Sequence, residues 1–126
     1  MKSLFLFLII TFLTITAFSA DEKLQIHITR RAENCVRISK KGDQLLTFYT
    51  GLLLDGTAFD LNMQHTFTLG KGKVIDGWEM GLLNMCVGEQ RILIIPPHLG
   101  YGERGALPVI PANATLIFDV ELLKIN

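Results

Sequence analysis

The stretch from Gly70 to Cys86, Gly-Lys-Gly-Lys-Val-Ile-Asp-Gly-Trp-Glu-Met-Gly-Leu-Leu-Asn-Met-Cys, restricts the possible folds more than any other part of the chain. Ile75, Trp78, Leu82 and Met85 recur at helical spacing, which predicts a short helix from Ile75 to Asn84 with one apolar stripe. Gly77 and Gly81 lie on one side of it. A mid-helix glycine costs about 0.5–1 kcal/mol relative to alanine, so two in one short helix signal a very close neighbour. Trp78 is then either the centre of a small core or, if other aromatics converge on it, the floor of a pocket.

The segments on both sides read as strands. Leu24, Ile26 and Ile28 alternate with Gln25, His27 and Thr29, the pattern of a half-buried strand. Lys40-Lys-Gly-Asp43 is a turn, and Gln44 to Leu54, rich in Leu, Thr and aromatics, is a strand. Asp55-Gly56 marks a hairpin, with a return strand that starts at Ala58-Phe-Asp60 and resumes, after a polar interruption, at Thr66 to Leu69. Beyond the helix, Arg91 to Ile95 is a strand and Pro96 to Ala114, holding all four prolines, is a long irregular loop. In Thr115 to Ile125, Leu116, Phe118, Val120 and Leu122 share one face. Antiparallel strands with one face solvated and the other covered by a single short helix make an α+β fold.

The first twenty residues differ in kind. Lys2 precedes an apolar run from Leu4 to Ile15, closed by Ala17-Phe-Ser-Ala20, which reads as a secretory signal peptide at 1–20 and one domain at 21–126. A membrane anchor is the alternative, but the run falls short of the ~20 apolar residues a span needs. Lys2 is the only charge in the leader, so the remainder carries 11 basic and 12 acidic residues, without a basic patch for nucleic acid. In an exported chain the only two cysteines, Cys35 and Cys86, predict one structural disulfide and, not being a CxxC pair, no thiol redox chemistry.

Gly100-Tyr-Gly-Glu-Arg-Gly105 matches a dinucleotide fingerprint in form, but Pro108 and Pro111 follow where a helix would have to start. His27, His65 and His98 lack metal-ligand spacing and read as surface residues, so no metal or other cofactor is expected. No nucleophile–base pair is evident. What does stand out is Tyr49, Phe59, Phe67, Trp78, Tyr101 and Phe118 at strand and loop ends, with Asp60 a lone carboxylate at the rim.

In order, Phe48-Tyr-Thr-Gly51, Asp55-Gly-Thr-Ala-Phe-Asp60, Val74-Ile-Asp-Gly-Trp78, Gly100-Tyr-Gly102 and Ala114-Thr-Leu-Ile-Phe-Asp-Val-Glu-Leu-Leu-Lys124 resemble the motifs of FKBP-type peptidyl-prolyl cis-trans isomerases, most of all their small secretory-pathway (endoplasmic reticulum) branch. The similarity runs from about Leu24 to Ile125. It implies an antiparallel half-barrel wrapped around the helix and an isomerase working without a covalent intermediate. Tyr49, Phe59, Asp60, Ile75, Trp78, Tyr101 and Phe118 would be its catalytic residues, and Phe67, Val74 and Ile110 further contacts to substrate or macrolide. The implied partners are proline-containing segments of exported polypeptides and macrolides such as tacrolimus and rapamycin. A monomer is expected, free of the membrane once the leader is cut.

The chain departs from the family pattern in a short Asp60–Phe67 segment, in His65 where many members carry an aromatic, and in a C-terminus without a KDEL-like signal. The lumen of the endoplasmic reticulum or the exterior is therefore its expected location. Asn113-Ala-Thr115 is an N-glycosylation sequon. The rival readings are a peptide-binding module or chaperone, which turnover would distinguish, and a purely structural domain, against which Asp60 beside so many aromatics argues.

Overall fold

The computed structural model describes residues 22–126; the expected signal peptide lies outside the described residues. Five strands, β1 (Gln25–Arg30), β2 (Gln44–Leu53), β3 (Ala58–Thr68), β4 (Gln90–Ile95) and β5 (Leu116–Ile125), form one sheet in the order β1-β4-β5-β2-β3. Every neighbouring pair is antiparallel. A single helix, α1 (Asp76–Gly81), lies on the inner face. This is the α+β architecture expected from the sequence.

The glycine pair explains how α1 sits there. A Cβ on Gly77 would lie 2.5 Å from the Ile95 side chain, and one on Gly81 would lie 2.8 Å from Leu93. Real Cβ atoms do not approach that closely, so only glycine lets α1 rest directly on β4. Trp78, Leu82 and Met85 then enter a core completed by Leu45, Phe67, Leu69, Leu116, Phe118, Val120 and Leu122. Burying each large side chain contributes about 1.5–3 kcal/mol.

The helix is shorter than the periodicity of Ile75–Asn84 predicts. Ile75 is its N-cap and Leu82 its C-cap, and Asn84 has φ 58°, a left-handed conformation asparagine tolerates. The cause is competition for the last carbonyls, which have no intrahelical partner. The buried Arg91 guanidinium donates to the carbonyls of Gly81, Leu83 and Asn84 at 2.8, 2.9 and 3.0 Å. The Ser39 hydroxyl takes the Leu82 carbonyl at 2.5 Å and accepts from the Met85 N–H at 2.9 Å. Glu89 pairs with Arg91 at 2.5 Å and with the Cys86 N–H at 3.1 Å, so this buried charge pair is fully bonded.

Three further elements differ from expectation. β1 exists, but all six of its residues are exposed because it is an edge strand whose apolar face no described residue covers. β3 runs unbroken through its polar middle, since at the other sheet edge polar residues face solvent at no cost. A bulge absorbs the irregularity: Leu61 and Asn62 (φ 53°) stand opposite Thr50, whose hydroxyl accepts the Asn62 N–H at 3.2 Å. The Pro96–Ala114 loop contains a 3₁₀ turn, Pro97–Leu99, and an Ala106–Ile110 bridge. The Asp55-Gly56 hairpin forms as expected, with Gly56 at φ 89°.

Cys35 and Cys86 are disulfide-bonded, 51 positions apart in sequence. The bond fixes the irregular segment between β1 and β2 to the chain just beyond α1.

Two substitutions test what holds this end of the molecule. Arg91→Met leaves Glu89 buried without its partner and strips three carbonyls. We expect it to lower unfolding free energy by about 3–5 kcal/mol in urea titrations, against less than about 1.5 kcal/mol if the network adds nothing beyond side-chain volume. Cys86→Ala is expected to lower it by about 4 kcal/mol, the loop-closure value for this span. An unshifted urea midpoint would mean that backbone contacts alone hold the segment.

Candidate active site

Four elements deliver aromatic rings to one place beside α1. Trp78 comes from α1, Tyr49 from β2 and Phe118 from β5, while Tyr101 enters from the loop after β4. Tyr49 stands edge-on to Trp78 at 4.9 Å and Phe118 edge-on to Trp78 at 5.3 Å. Tyr49 and Phe118 meet at 5.8 Å. Together with Val74 and Ile75 they line a cleft of about 230 Å³. A larger depression of about 820 Å³ lies elsewhere, over Leu24, Ile26, Met80 and Leu99, but among the described residues no Phe, Tyr or Trp lines it.

Trp78 is 3% exposed, so it is both core and floor. It packs against Phe67 from beneath at 5.6 Å. Its indole N–H is buried without an acceptor among the described residues. That costs about 1–3 kcal/mol, which the edge and tilted contacts to its neighbours, about 0.5–1.5 kcal/mol each, can offset.

A second close approach shapes the wall. Gly51 of β2 faces Phe118 of β5 and Asp60 of β3, and a Cβ there would lie 2.6 Å from Phe59 and 3.0 Å from Phe118. Its absence lets Phe59 meet Phe118 edge-on at 5.5 Å. Phe59 thus backs the wall and does not line the cleft.

Asp60 also acts at one remove. The Tyr49 hydroxyl donates to its carboxylate at 2.9 Å, so this carboxylate is engaged by a cleft residue. Burial, helped by this acceptor, pushes the Tyr49 phenol far above its usual value. Burial and then the Asp60 charge raise Tyr101 in the same direction. Both hydroxyls therefore keep their protons at neutral pH and serve as donors. Tyr49 already has its acceptor; the Tyr101 hydroxyl makes no hydrogen bond to another described residue.

The loop before α1 brings a backbone donor to the cleft. Glu79 of α1 accepts the Gly70 N–H at 2.6 Å and so holds that loop against the helix. Ile75 supplies its carbonyl to the N–H groups of Trp78 and Glu79 at 2.9 and 3.1 Å. Its own N–H, preceding the first turn, has no acceptor among the described residues.

Of the residues singled out from sequence, Tyr49, Val74, Ile75, Trp78, Tyr101 and Phe118 line the cleft. Asp60, Phe59 and Phe67 support it from behind, and Ile110 is buried in the core, bonded through its backbone to Ala106 at 2.8 and 3.0 Å. Asn113 is exposed, its N–H donating to the Gly102 carbonyl at 2.8 Å. Two lining residues went unassigned at the level of sequence, His65 and Lys73. His65 is exposed as expected, yet lies flat on Phe67 at 5.6 Å. Among the described residues no three of His, Cys, Asp or Glu converge as a metal site, and no helix is long and apolar enough to cross a membrane.

Comparison with known proteins adds an independent line. Residues 35–123 match the family model for FKBP-type peptidyl-prolyl cis-trans isomerase. The chain is 54% identical over 117 residues to the peptidyl-prolyl cis-trans isomerase FKBP2 of Bos taurus, covering 90% of this chain and 84% of that protein. The same identity holds over 117 residues with FKBP2 of Homo sapiens, across 90% and 82% of the two chains. FK506-binding protein 2 of Dictyostelium discoideum is 51% identical over 110 residues, or 84% and 83%. With every residue of its cleft inside the family match, the chain belongs to the FKBP-type peptidyl-prolyl cis-trans isomerases.

Proposed function

We propose that the cleft floored by Trp78 is where this chain isomerises X–Pro bonds, and that its substrates are exported polypeptides folding in the endoplasmic reticulum or destined for secretion. The observation that carries the reading is the set of three rings, with Tyr49 and Phe118 each edge-on to Trp78 and tilted to one another, around a space one proline ring can enter. The expected leader and the Cys35–Cys86 bond support an oxidising compartment, where such bonds persist. The same apolar cleft accounts for macrolides of the tacrolimus and rapamycin type as ligands, bound by a monomer.

Rotation about X–Pro is opposed by a barrier of about 18–20 kcal/mol, the amide resonance lost on twisting. The twisted bond is less polar than the planar amide because carbonyl and nitrogen no longer share charge. A dry aromatic cleft therefore favours the twisted form over the planar one, which is catalysis by differential binding. Trp78 takes the proline ring, with Tyr49 and Phe118 as walls and Phe59 as the backing of Phe118. The Ile75 N–H holds one substrate carbonyl and the Tyr101 hydroxyl a second. Val74 and Phe67 shape the floor, and Ile110 anchors the flap that carries Tyr101. Asp60 is a positioning residue: through the Tyr49 hydroxyl it fixes the ring that stands edge-on to Trp78.

Two expectations test this. Phe118→Tyr forces a hydroxyl into an apolar wall, and Asp60→Val removes the acceptor; each is expected to lower kcat/KM on short X–Pro peptides about tenfold, near 1.4 kcal/mol. Lys124→Ala, on the exposed end of β5, is expected to do little. Since Asp60 works through Tyr49, Tyr49→Phe should cost as much as Asp60→Val, and the double variant no more than either. Multiplying losses would place Asp60 directly on the substrate. Tacrolimus is expected to inhibit the wild-type protein, and folded protein without acceleration would end the reading.

Processing is tested separately. Expression in eukaryotic cells is expected to yield protein lacking about 20 residues and carrying an N-linked glycan at Asn113, an exposed acceptor. Intact mass before and after glycosidase checks both. An unchanged mass removes the glycan, and a retained leader removes the export reading.

A further inference from the structure

Two bases sit in the lining of an otherwise uncharged cleft. Lys73 reaches it from the loop held down by Glu79, and His65 from β3, where its ring lies flat on Phe67 with 16° between planes. Neither side chain makes a hydrogen bond or an ion pair with another described residue, and both are exposed. Among the described residues no carboxylate lines the cleft. Asp60, which adjoins it, already accepts the Tyr49 hydroxyl. Asp76 follows Ile75 but points its exposed side chain to no described partner, and Glu79 is engaged with Gly70.

A peptide with its proline on Trp78 must run its flanking residues out past this rim. From the unpartnered bases there, we infer that the cleft selects X–Pro segments carrying an acidic side chain next to the proline. Lys73 supplies the charge and His65 an adjacent ring N–H. The selection is electrostatic and partly exposed, so it is modest and falls with salt. It acts on which proline is engaged, whereas the twist itself depends on the aromatic floor. This inference rests on the cleft being the isomerase site.

Two peptide sets test it on the full processed protein, one varying the residue before proline and one the residue after, each as Glu, Leu or Lys. At low ionic strength the wild type is expected to show kcat/KM about two- to fivefold higher for Glu than for Lys in at least one set. The ratio should approach one at about 1 M salt, where the screening length is ~3 Å. Lys73→Glu is expected to reverse the order. Lys124→Glu changes net charge equally, but at the end of β5 away from Phe118, and is expected to leave the ratio as it was. His65→Phe keeps a flat ring on Phe67 without its N–H and should reduce the preference without reversing it.

A Glu-to-Lys ratio of one in both sets at low salt overturns the inference, as does a Lys73→Glu protein whose three rates move together. In either case turnover of the Leu peptides would leave the isomerase site standing. Failure on the Leu peptides as well would remove that site.

Discussion

Arg91 is a buried cation that the rest of the fold has to accommodate. Placing a guanidinium inside a small core is unfavourable unless a carboxylate and several acceptors meet it there. Glu89 supplies the charge, and the acceptors are the carbonyl of Gly81, which the helix terminus leaves unpaired in any case, and those of Leu83 and Asn84 just beyond it. Each requirement answers the other. The cation needs acceptors, the helix end needs donors, and Ser39 closes the one carbonyl that Arg91 does not reach. The helix is therefore stopped at a fixed residue and fixed to β4, the strand that carries Arg91.

That anchoring propagates to the chemistry. With its C-terminus clasped and Gly77 and Gly81 flat on Ile95 and Leu93, α1 has little freedom to slide or roll. Trp78, on the turn between them, inherits that rigidity, and so does Ile75 one turn earlier. A cleft that discriminates a twisted amide from a planar one needs walls set within a fraction of an ångström. The network supplies this without a single polar side chain on the cleft floor, since its charged members lie at the other end of the helix.

What could be read from the residues follows from which interactions are local. The hairpin at Asp55-Gly56 and the apolar face of β5 are written in period and turn chemistry, and both appear as read. Gly77 and Gly81 announced a close neighbour, though only the fold reveals Ile95 and Leu93. The helix end was misplaced because its stop comes from Arg91 and Ser39, far along the chain. One signal was available: Arg91 shares the inward parity of Leu93 and Ile95, and a charge on an inward face asks for partners. β1 shows the converse, a clean alternation whose burial depends on the strand's place at the sheet edge. In the site, the aromatics were legible by motif, whereas Asp60 acting through Tyr49 depends on the bulge at Asn62 that sets the β3 register. His65 reads as a surface histidine at a position where many members of the family carry an aromatic, and Lys73 draws no reading, because only the loop before α1 carries it back over Trp78's cleft.

The cross-link between Cys35 and Cys86 also changes the topology of the chain as an object that can be cut. The connection from β1 to β2 includes an open stretch, with Val36 96% exposed. A single peptide-bond break between Cys35 and Asp43 would sever the backbone yet release nothing, because the piece bearing β1 stays joined through sulfur to the chain beyond α1. The sheet would keep all five strands in two covalently linked fragments. Reduction alone would open no backbone, and a nick alone would free no strand; loss of β1 requires both.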